Sequence, residues 1–597
     1  MSESDLIPCL PETAPFTPEQ RAYLNGFFAG LFSRTSPSNP APPAGAVGAT
    51  ALSPLTILFG SQTGTAENLA KRVGKEAGKR GFAATIHDLG TYPKTQLVTE
   101  SRLLIITSTY GDGEPPDNAK PFWQWLAGGQ APQLAQMLFS VCALGDTNYP
   151  KFCAFGQELD ARLESLGAKR AFPRVDCDLD LEESFTRWLN PALDALGQQG
   201  ASASPTGPSV LEVDPKSDIA TSAGYSRANP FVAKLMTNRK LNGSGSEKNT
   251  RHFEISLAGS GLTYEAGDAL GVMPTNCQEL VREILAALQC SGDEPVSGLN
   301  GGNGNLLDAL LKHYEITKIP RALLAAMAER TRDALLQKVA SPTANGELSK
   351  FLWGREIIDL LAAHPSVRFT PAEFLGLLKK LQPRLYSISS SPKANTDQVH
   401  LTVGVVEYQS LGRARKGVCS TFLAERAAAA STVPVFVHTN KAFRPPSNGD
   451  APMIMVGPGT GIAPFRAFLQ ERRAAGAKGK NWLFFGEQRS ACDFLYRAEL
   501  EEMRQEGSLT RLDTAFSRDQ TEKIYVQNRL REHALEVFGW LEEGAHFYVC
   551  GDASRMAKDV DMALHEVVQT SKGCTAEKAA EYINQLKTEK RYQRDVY

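Results

Sequence analysis

Three short segments place hydroxyls, glycines and aromatic rings directly after apolar runs. The first is Gly60-Ser61-Gln62-Thr63-Gly64-Thr65-Ala66-Glu67-Asn68, which follows the run 55–59 and opens a helical pattern over 66–79. A helix N-terminus presents unpaired N–H groups and the positive end of the helix dipole, so it holds an anion. The hydroxyls of Ser61, Thr63 and Thr65 add donors. No Lys completes the loop, so it is not a Walker A loop. Donors without a full positive charge suit one monophosphate better than a triphosphate and its metal. The second segment, Ser108-Thr109-Tyr110-Gly111-Asp112-Gly113, follows the run 102–107, and the third, Leu144-Gly145-Asp146-Thr147-Asn148-Tyr149, ends the run 138–144. Tyr110 and Tyr149 are suited to sandwiching a flat ring system. A single turn of this kind is more often a plain helix cap. Three of them, in order at strand ends, describe a ligand site beyond the carboxyl edge of an open sheet.

Two further sites lie downstream. Arg384-Leu385-Tyr386-Ser387 precedes the strand pattern 399–406, and Gly417-Val418-Cys419-Ser420 then opens a helix. An Arg facing a Gly-opened helix N-terminus makes a pyrophosphate clamp. Next, 453–456 runs into Gly457-Pro458-Gly459-Thr460-Gly461, a variant of the dinucleotide loop. Ser517, Arg518, Lys523, Tyr525 and Gln527 follow where an NAD enzyme places a carboxylate on the ribose. Basic groups there suit a 2′-phosphate, which favours NADPH over NADH. Tyr548-Val549-Cys550-Gly551-Asp552 ends one more apolar run, and the chain closes on Arg591-Tyr592-Gln593-Arg594-Asp595-Val596-Tyr597.

The elements that must position these loops alternate in type. Strand and helix patterns interleave over 54–195 and again over 451–597, which predicts parallel sheets with helices on both faces. Between them, 225–450 begins and ends with strand patterns (253–257, 399–406, 433–437) around a helix-rich insertion at about 277–382. The last helix of the insertion has a capping box, Thr370-Pro371-Ala372-Glu373. Residues 35–54 and 197–223 are rich in Pro, Ala, Gly and Ser and read as linkers. Ahead of them, Thr17-Pro18-Glu19-Gln20 caps a helix carrying Tyr23, Leu24, Phe27, Phe28, Leu31 and Phe32 on one face. That apolar face is expected either to dock on the chain's own body or to make a subunit contact.

A length of 597 residues predicts several domains. Lys and Arg (64) nearly cancel Asp and Glu (66), a balance with no footprint for nucleic acid. No apolar run approaches the roughly 18 residues of a membrane span. Ten scattered cysteines without a CxxC pair, with Glu3 and Asp5 where a secretory leader is basic, predict a soluble cytoplasmic protein without a metal site.

Residues 54–195 resemble flavodoxin-like domains that bind FMN. The resemblance implies that Ser61, Gln62, Thr63, Gly64, Thr65 and Ala66 hold the FMN phosphate. Ser108, Thr109, Tyr110, Gly111, Leu144, Gly145, Asp146, Tyr149, Phe152 and Cys153 would surround the ring. Residues 225–597 resemble the ferredoxin–NADP reductase family as elaborated in diflavin reductases, in the order RLYS, TVG, GVCS, GPGTG, SR…KIYVQ, YVCGD, RDVY. That resemblance assigns FAD to Arg384, Leu385, Tyr386, Ser387, Thr402, Val403, Gly404, Gly417, Val418, Cys419 and Ser420, with Thr317 and Tyr408 as further contacts. It assigns NADPH to Gly457, Thr460, Ser517, Arg518, Lys523, Ile524, Tyr525, Val526, Gln527 and Asp559. Ser387, Cys550 and Asp595 would surround the reacting nicotinamide, while Tyr597 stacks on the FAD ring and moves aside for it. Cys419 departs from the GGAS pattern of related sequences.

The expected architecture is a multidomain α/β protein. A helical arm with its linker (1–53) precedes a flavodoxin-like doubly wound domain (54–195) and a second linker (196–224). A ferredoxin-NADP reductase-like module follows, with an FAD β-barrel carrying the helical insertion (225–450) and an NADP-binding parallel α/β domain (451–597). The terminal Tyr, where microsomal mono-oxygenase reductases carry Trp, and the arm in place of their membrane anchor resemble the branch of diflavin reductases serving sulfite-reducing haemoproteins. This implies electron flow from NADPH through FAD and FMN to a haemoprotein β-component with sirohaem and an iron–sulfur cluster, which reduces sulfite to sulfide. It also implies self-association through the arm. Service to another haem protein and a non-catalytic flavin-binding assembly role are the alternatives. Residues 54–195 hold 14 Lys/Arg against 17 Asp/Glu, and Asp176, Asp178, Asp180, Glu182 and Glu183 crowd one segment, either a docking face or a solvated turn.

Overall fold

The computed structural model describes residues 52–61, 64–110, 113–129, 131–145, 151–178, 181–198, 224–299, 302–341, 345–427 and 431–597. By its contacts the chain divides into two units, Met1–Leu52 and Ser53–Tyr597. The helix expected at 17–32 and most of both linkers lie outside the described residues.

Three sheets build the second unit. In the first, β1 (Ser53–Gly60), β2 (Phe82–Asp88), β3 (Arg102–Ser108), β4 (Leu138–Leu144), β5 (Lys169–Arg170) and β6 (Val175–Cys177) are all parallel, in the order β2-β1-β3-β4-β5 with β6 also on β4. The run Leu103–Ile106 is buried on both faces, as expected of a covered parallel strand. Its residues divide by parity. Leu103 and Ile105 pack with Phe122 and Phe155 under the helices Lys120–Ala127 and Ala154–Ser165. Leu104 and Ile106 pack with Val73 and Trp188 under Thr65–Lys79 and Leu181–Gln198. The strand order reverses direction between β1 and β3, so the loops after β1, β3 and β4 open onto one crevice.

The second sheet is antiparallel. It comprises β7 (Phe231–Lys240), β8 (Thr250–Ser256), β9 (Ala269–Val272), β12 (Arg384–Ser387), β13 (Gln398–Gly404) and β16 (Thr432–His438), in the order β12-β9-β16-β7-β8-β13. A bridge between Ile388 and Leu401 joins the two ends into a barrel, and a bulge in β7 between Leu235 and Thr237 supplies curvature. The insertion between β9 and β12 is helical, with its own core around Leu306, Leu323, Met327 and Phe374. Its last helix, Pro371–Gly376, forms the expected capping box: Glu373 N–H donates to Thr370 Oγ1 at 3.3 Å, and Thr370 N–H donates to Glu373 Oε2 at 3.4 Å. The insertion also holds a hairpin, β10 (Pro295–Leu299) with β11 (Gly302–Asn305), which the helical pattern did not predict. A second hairpin, β14 (Glu407–Ser410) with β15 (Arg413–Lys416), follows β13.

The third sheet returns to parallel pairing, in the order β19-β18-β17-β20-β21. Its strands are β17 (Met453–Val456), β18 (Asn481–Glu487), β19 (Arg511–Phe516), β20 (His546–Gly551) and β21 (Tyr592–Val596). Among the described residues no helix is long and apolar enough to cross a membrane.

Trp188 is fully buried and its indole N–H donates to the buried Ser140 Oγ at 2.8 Å. Trp188→Ala is expected to destabilise the first sheet's layer by about 3–5 kcal/mol. Urea denaturation followed by far-ultraviolet circular dichroism would measure this, and an unchanged first transition would contradict it.

Candidate functional site

The loop after β1 is held by its own side chains. Ser61 Oγ accepts from the N–H groups of Gly64 (2.9 Å) and Ala66 (3.3 Å), while Ser61 N–H donates to Asn118 Oδ1 at 3.0 Å. Asn118 is in turn fixed on Asp88 at 3.0 Å. Gly64 caps the following helix at φ +86°, a left-handed conformation that glycine adopts without penalty. Gln62 and Thr63 lie outside the described residues, as do Gly111, Asp146 and Tyr149. Thr65 opens the helix. Beside the loop, Ser108 Oγ donates to Gly60 O at 3.4 Å and Thr109 Oγ1 accepts from Phe155 N–H at 3.3 Å. At the end of β4 a Cβ on Gly145 would lie 2.8 Å from Cys153 N, so the two loops approach through a position only glycine fits.

Several residues expected at the FMN phosphate or ring turn their side chains elsewhere. The side chains of Ala66, Leu144 and Cys153 are buried in the core, and Phe152 packs against it. The Cys153 thiol faces Ala143 O at 3.3 Å. Their helix and strand positions point them inward, so they can offer the loop only backbone atoms. Tyr110 is half-buried, with its hydroxyl on the backbone of Val596.

A cleft of about 580 Å³ opens where the barrel, the insertion and the third sheet meet. Thr317, Arg384, Leu385, Tyr386, Ser387, Thr402, Val403, Gly404, Tyr408, Gly417, Val418, Cys419, Ser420 and Tyr597 all line it. Arg384 comes from the strand beside β9, and Gly417 precedes the short turn Val418–Thr421. A Cβ on Gly417 would meet Ser420 Oγ at 2.7 Å and Val406 Cβ at 2.8 Å. Thr402 Oγ1 shares a hydrogen bond with the Tyr496 hydroxyl at 2.6 Å, which fixes its rotamer at the cleft. Burial pushes the Cys419 thiol up to about 11, and it packs as a neutral side chain against Val272 O. The sequence reading missed Glu356 and Arg355, which also line the cleft. Arg415, 1% exposed, pairs with Glu356 (3.1 Å) and Asp359 (2.6 Å) and ties β15 to the insertion. Burial outweighs Arg415 at Glu356, raising its carboxyl to about 7.

The third sheet supplies the glycine loop. Gly457 follows β17 and carries its amide to Phe484 O (3.0 Å); a Cβ on Gly461 would lie 2.1 Å from Cys550 O. Ser517 and Arg518 follow β19, and Tyr525 caps the helix Val526–Glu532. Gln527 Nε2 donates to Asp559 Oδ2 at 3.1 Å, Arg518 pairs with Glu247 at 2.8 Å, and Lys523 is exposed. Ile524 and Val526 pack into the sheet's core. Where the glycine loop meets the cleft, Cys550 lies opposite Asp595 in the β20–β21 pairing and Ser387 Oγ donates to Asp595 Oδ2 at 2.7 Å. Burial pushes both the Cys550 thiol and the Asp595 carboxyl up, the latter against the Ser387 hydrogen bond. Tyr597 OH meets Thr460 Oγ1 at 2.8 Å.

Three family descriptions match the chain in turn: flavodoxin over residues 57–188, FAD binding domain over 224–422, and oxidoreductase NAD-binding domain over 455–562. The chain is 44% identical to the sulfite reductase [NADPH] flavoprotein alpha-component of Bacillus subtilis, across 99% of this chain and 97% of that protein. The proteins of the same name from Vibrio vulnificus (42%; 99% and 96%) and Klebsiella pneumoniae (41%; 100% and 99%) align equally fully. The chain belongs to this flavoprotein family. It is an NADPH-dependent oxidoreductase with FMN, FAD and NADPH as cofactors. The glycine-only approaches at Gly145, Gly417 and Gly461 and the size of the cleft fit such ligands.

Among the described residues, His252, Glu254 and His400 across β8 and β13 have metal-ligand geometry. Their ring nitrogens are engaged by Tyr496, Glu254, Gln398 and Arg466.

Gly145→Ala is expected to strain the β4 loop by about 1–3 kcal/mol and to lower the FMN content of the purified flavoprotein while its FAD content holds. Quantifying both released flavins checks this; an unchanged FMN:FAD ratio would remove the loop from the site.

Proposed function

We propose that this chain takes electrons from NADPH and delivers them through FAD and FMN to a sulfite reductase haemoprotein subunit, which reduces sulfite to sulfide. The observation that carries the reading is the meeting of Ser387, Cys550, Asp595 and Tyr597 between the 580 Å³ cleft and the glycine loop. Bound NADPH supplies a hydride, and the two flavins divide it into single electrons. The chain's own residues arrange this. Gly457 and Thr460 with Ser517, Arg518, Lys523, Ile524, Tyr525, Val526, Gln527 and Asp559 form the dinucleotide site, and the Arg518 and Lys523 cations select the 2′-phosphate. Arg384 and the backbone from Gly417 to Ser420 hold the FAD pyrophosphate, while Tyr386 and Tyr597 flank its ring. Ser61 to Ala66 hold the FMN phosphate on helix-terminal amides. Ser387 fixes the Asp595 carboxyl, and Cys550 supplies a neutral, close-packed wall, so the reacting atoms are held within reach.

The purified flavoprotein is expected to oxidise NADPH with ferricyanide as acceptor and to yield sulfide from sulfite once the haemoprotein is added. Ser387→Ala is expected to slow both by about 100-fold at unchanged flavin content. Turnover with ferricyanide but no sulfide with the haemoprotein would point to a different acceptor.

The domain limits of this reading are an arm at 1–53, an FMN domain at 54–195, a linker at 196–224, an FAD domain at 225–450 and an NADP domain at 451–597. We place the protein in the cytoplasm, as a homo-oligomer joined by the apolar face of Tyr23, Leu24, Phe27, Phe28, Leu31 and Phe32. The acidic segment is a weaker docking candidate than its composition implies, because Asp176 pairs with Arg174 (2.7 Å) and Glu182 with Arg72 (2.7 Å). Deleting residues 1–52 is expected to reduce the assembly to monomers in light scattering and to leave ferricyanide reduction intact. An unchanged mass would place the subunit contact elsewhere.

A further inference from the structure

Three consecutive residues of the loop between β7 and β8 each take a partner beside the third sheet. Ser246 Oγ donates to Asp493 Oδ1, and Lys248 Nζ meets both carboxylate oxygens of Glu487 at 2.6 and 2.7 Å. Asn242 Nδ2 donates to the same Asp493 oxygen at 2.9 Å, and Gly243 N–H donates to Cys492 O at 2.7 Å. Asp493 and Glu487 are both buried, so the loop is anchored on either side of the residue between them. That residue is Glu247. Its exposed carboxylate meets Arg518 Nη1 at 2.8 Å through one oxygen and Arg489 Nη2 at 3.4 Å through the other.

The backbone explains why the two guanidiniums converge. β18 and β19 are parallel and stay paired up to Glu487 and Phe516. Beyond that pair, Ser517 N–H donates to Glu487 O at 2.9 Å and Arg518 N–H donates to Gln488 O at 2.8 Å, which sets Arg518 beside Arg489. Arg489 carries a cation to the end of β18 that the sequence reading did not single out. The Arg518 hydrogen bond and charge, with Arg489 beyond, hold the Glu247 carboxyl below its ordinary range, so it is an anion at neutral pH.

Glu247 matches the pair of arginines incompletely. Both of its oxygens are engaged, yet Arg489 Nη1 is buried with no hydrogen-bond partner among the described residues. A phosphate presents three acceptor oxygens where a carboxylate presents two.

We propose that Glu247 stands in the 2′-phosphate subsite and competes with the phosphate of the dinucleotide for Arg518 and Arg489. The inference rests on the reading of Arg518 as a 2′-phosphate ligand. A phosphate that displaces Glu247 keeps both arginines and adds the Arg489 Nη1 donor, which favours the exchange. The competition lowers the apparent affinity by the fraction of molecules in which the carboxylate holds the subsite. Oxidised and reduced dinucleotides carry the same 2′-phosphate, so both are weakened by one factor. Glu247 thereby limits how tightly the product NADP⁺ is retained, and leaves contacts to the adenine and ribose as they are.

Glu247→Gln tests this, because it keeps the shape of the side chain and removes the charge. Two probes are titrated by calorimetry into the oxidised holoprotein: 2′,5′-ADP, which carries the phosphate, and 5′-AMP, which lacks it. In the variant 2′,5′-ADP is expected to bind about fivefold tighter, the size that an exposed ion pair supports, with 5′-AMP unchanged. Glu247→Ala is expected to give the same gain, since the effect follows the charge. An unchanged or weaker affinity for 2′,5′-ADP would overturn the competition, and so would an equal gain for both probes. A gain with Gln but not with Ala would trace the effect to the new amide and overturn it as well. Lack of any preference for 2′,5′-ADP over 5′-AMP in the native protein would instead sink the 2′-phosphate reading, and the competition with it.

Discussion

The pairing of the last five-residue strand with β20 is the constraint on which the meeting of Ser387, Cys550 and Asp595 depends. Cys550 stands opposite Asp595 because Phe547 stands opposite Tyr592 and Val549 opposite Arg594. A slip of one residue would turn Arg594 to the barrel and Asp595 to the FMN domain, since side-chain direction has a period of two. The register is locked where the strand begins. Tyr592 is buried, its ring meets Phe547 edge-on at 5.5 Å, and its hydroxyl donates to Asp561 at 2.9 Å. Arg591 donates to Ala545 O at 3.0 Å just before. A buried aromatic with a satisfied hydroxyl costs too much to expose, so the Asp595 carboxyl three residues from it is delivered to one place.

Close backbone approach brings the other half of the centre. Any side chain at Gly461 would collide with Cys550 O, so the glycine loop that follows β17 can pass over the end of β20 only at that residue. The same device recurs at Gly145 against Cys153 N and at Gly417 against Ser420 Oγ. Each brings polar backbone into the space where an anion or a flat ring must sit, in keeping with loops that hold phosphate by amides and hydroxyls and not by a lysine.

Much of this was legible in the chain because it is local. Strand, Gly/Ser/Thr loop and helix follow one another within about twenty residues, and hydrophobic periodicity with turn chemistry marks them. The residues read together for FAD line one cleft even though Thr317 and Tyr408 come from separate excursions of the chain. What escaped was pairing between distant segments. Asn118 braces the loop at Ser61, and Arg415 is buried on Glu356 and Asp359, yet single polar residues carry no sequence sign of burial. Ala66, Leu144 and Cys153 show the converse limit of a local reading, which does not tell backbone from side chain. They sit beside the loop in sequence, but the period of their helix or strand sends the side chains into the core. Part of the acidic segment is neutralised, by Arg174 two residues from Asp176 and by Arg72, which reaches Glu182 from the first helix.

The contact between the FMN domain and β21 differs in chemistry from the cores on either side of it. Among the described residues it includes Tyr110, whose ring also packs on the third sheet's core, the bidentate Arg594–Asp117 pair and, from the neighbouring helix Met556–Lys572, the exposed Lys558–Glu114 pair. Desolvating Arg594 and Asp117 costs nearly what their attraction returns, so the pair contributes direction and register more than affinity. The exposed Lys558–Glu114 pair adds little in water. A broad apolar seam would bury these two domains together as firmly as a core. A small polar one binds only when every partner is aligned, and releases when one is taken away. Tyr110 meets that condition by accepting from Val596 N–H and donating to Val596 O through a single oxygen, so a small shift of Val596 breaks both hydrogen bonds at once.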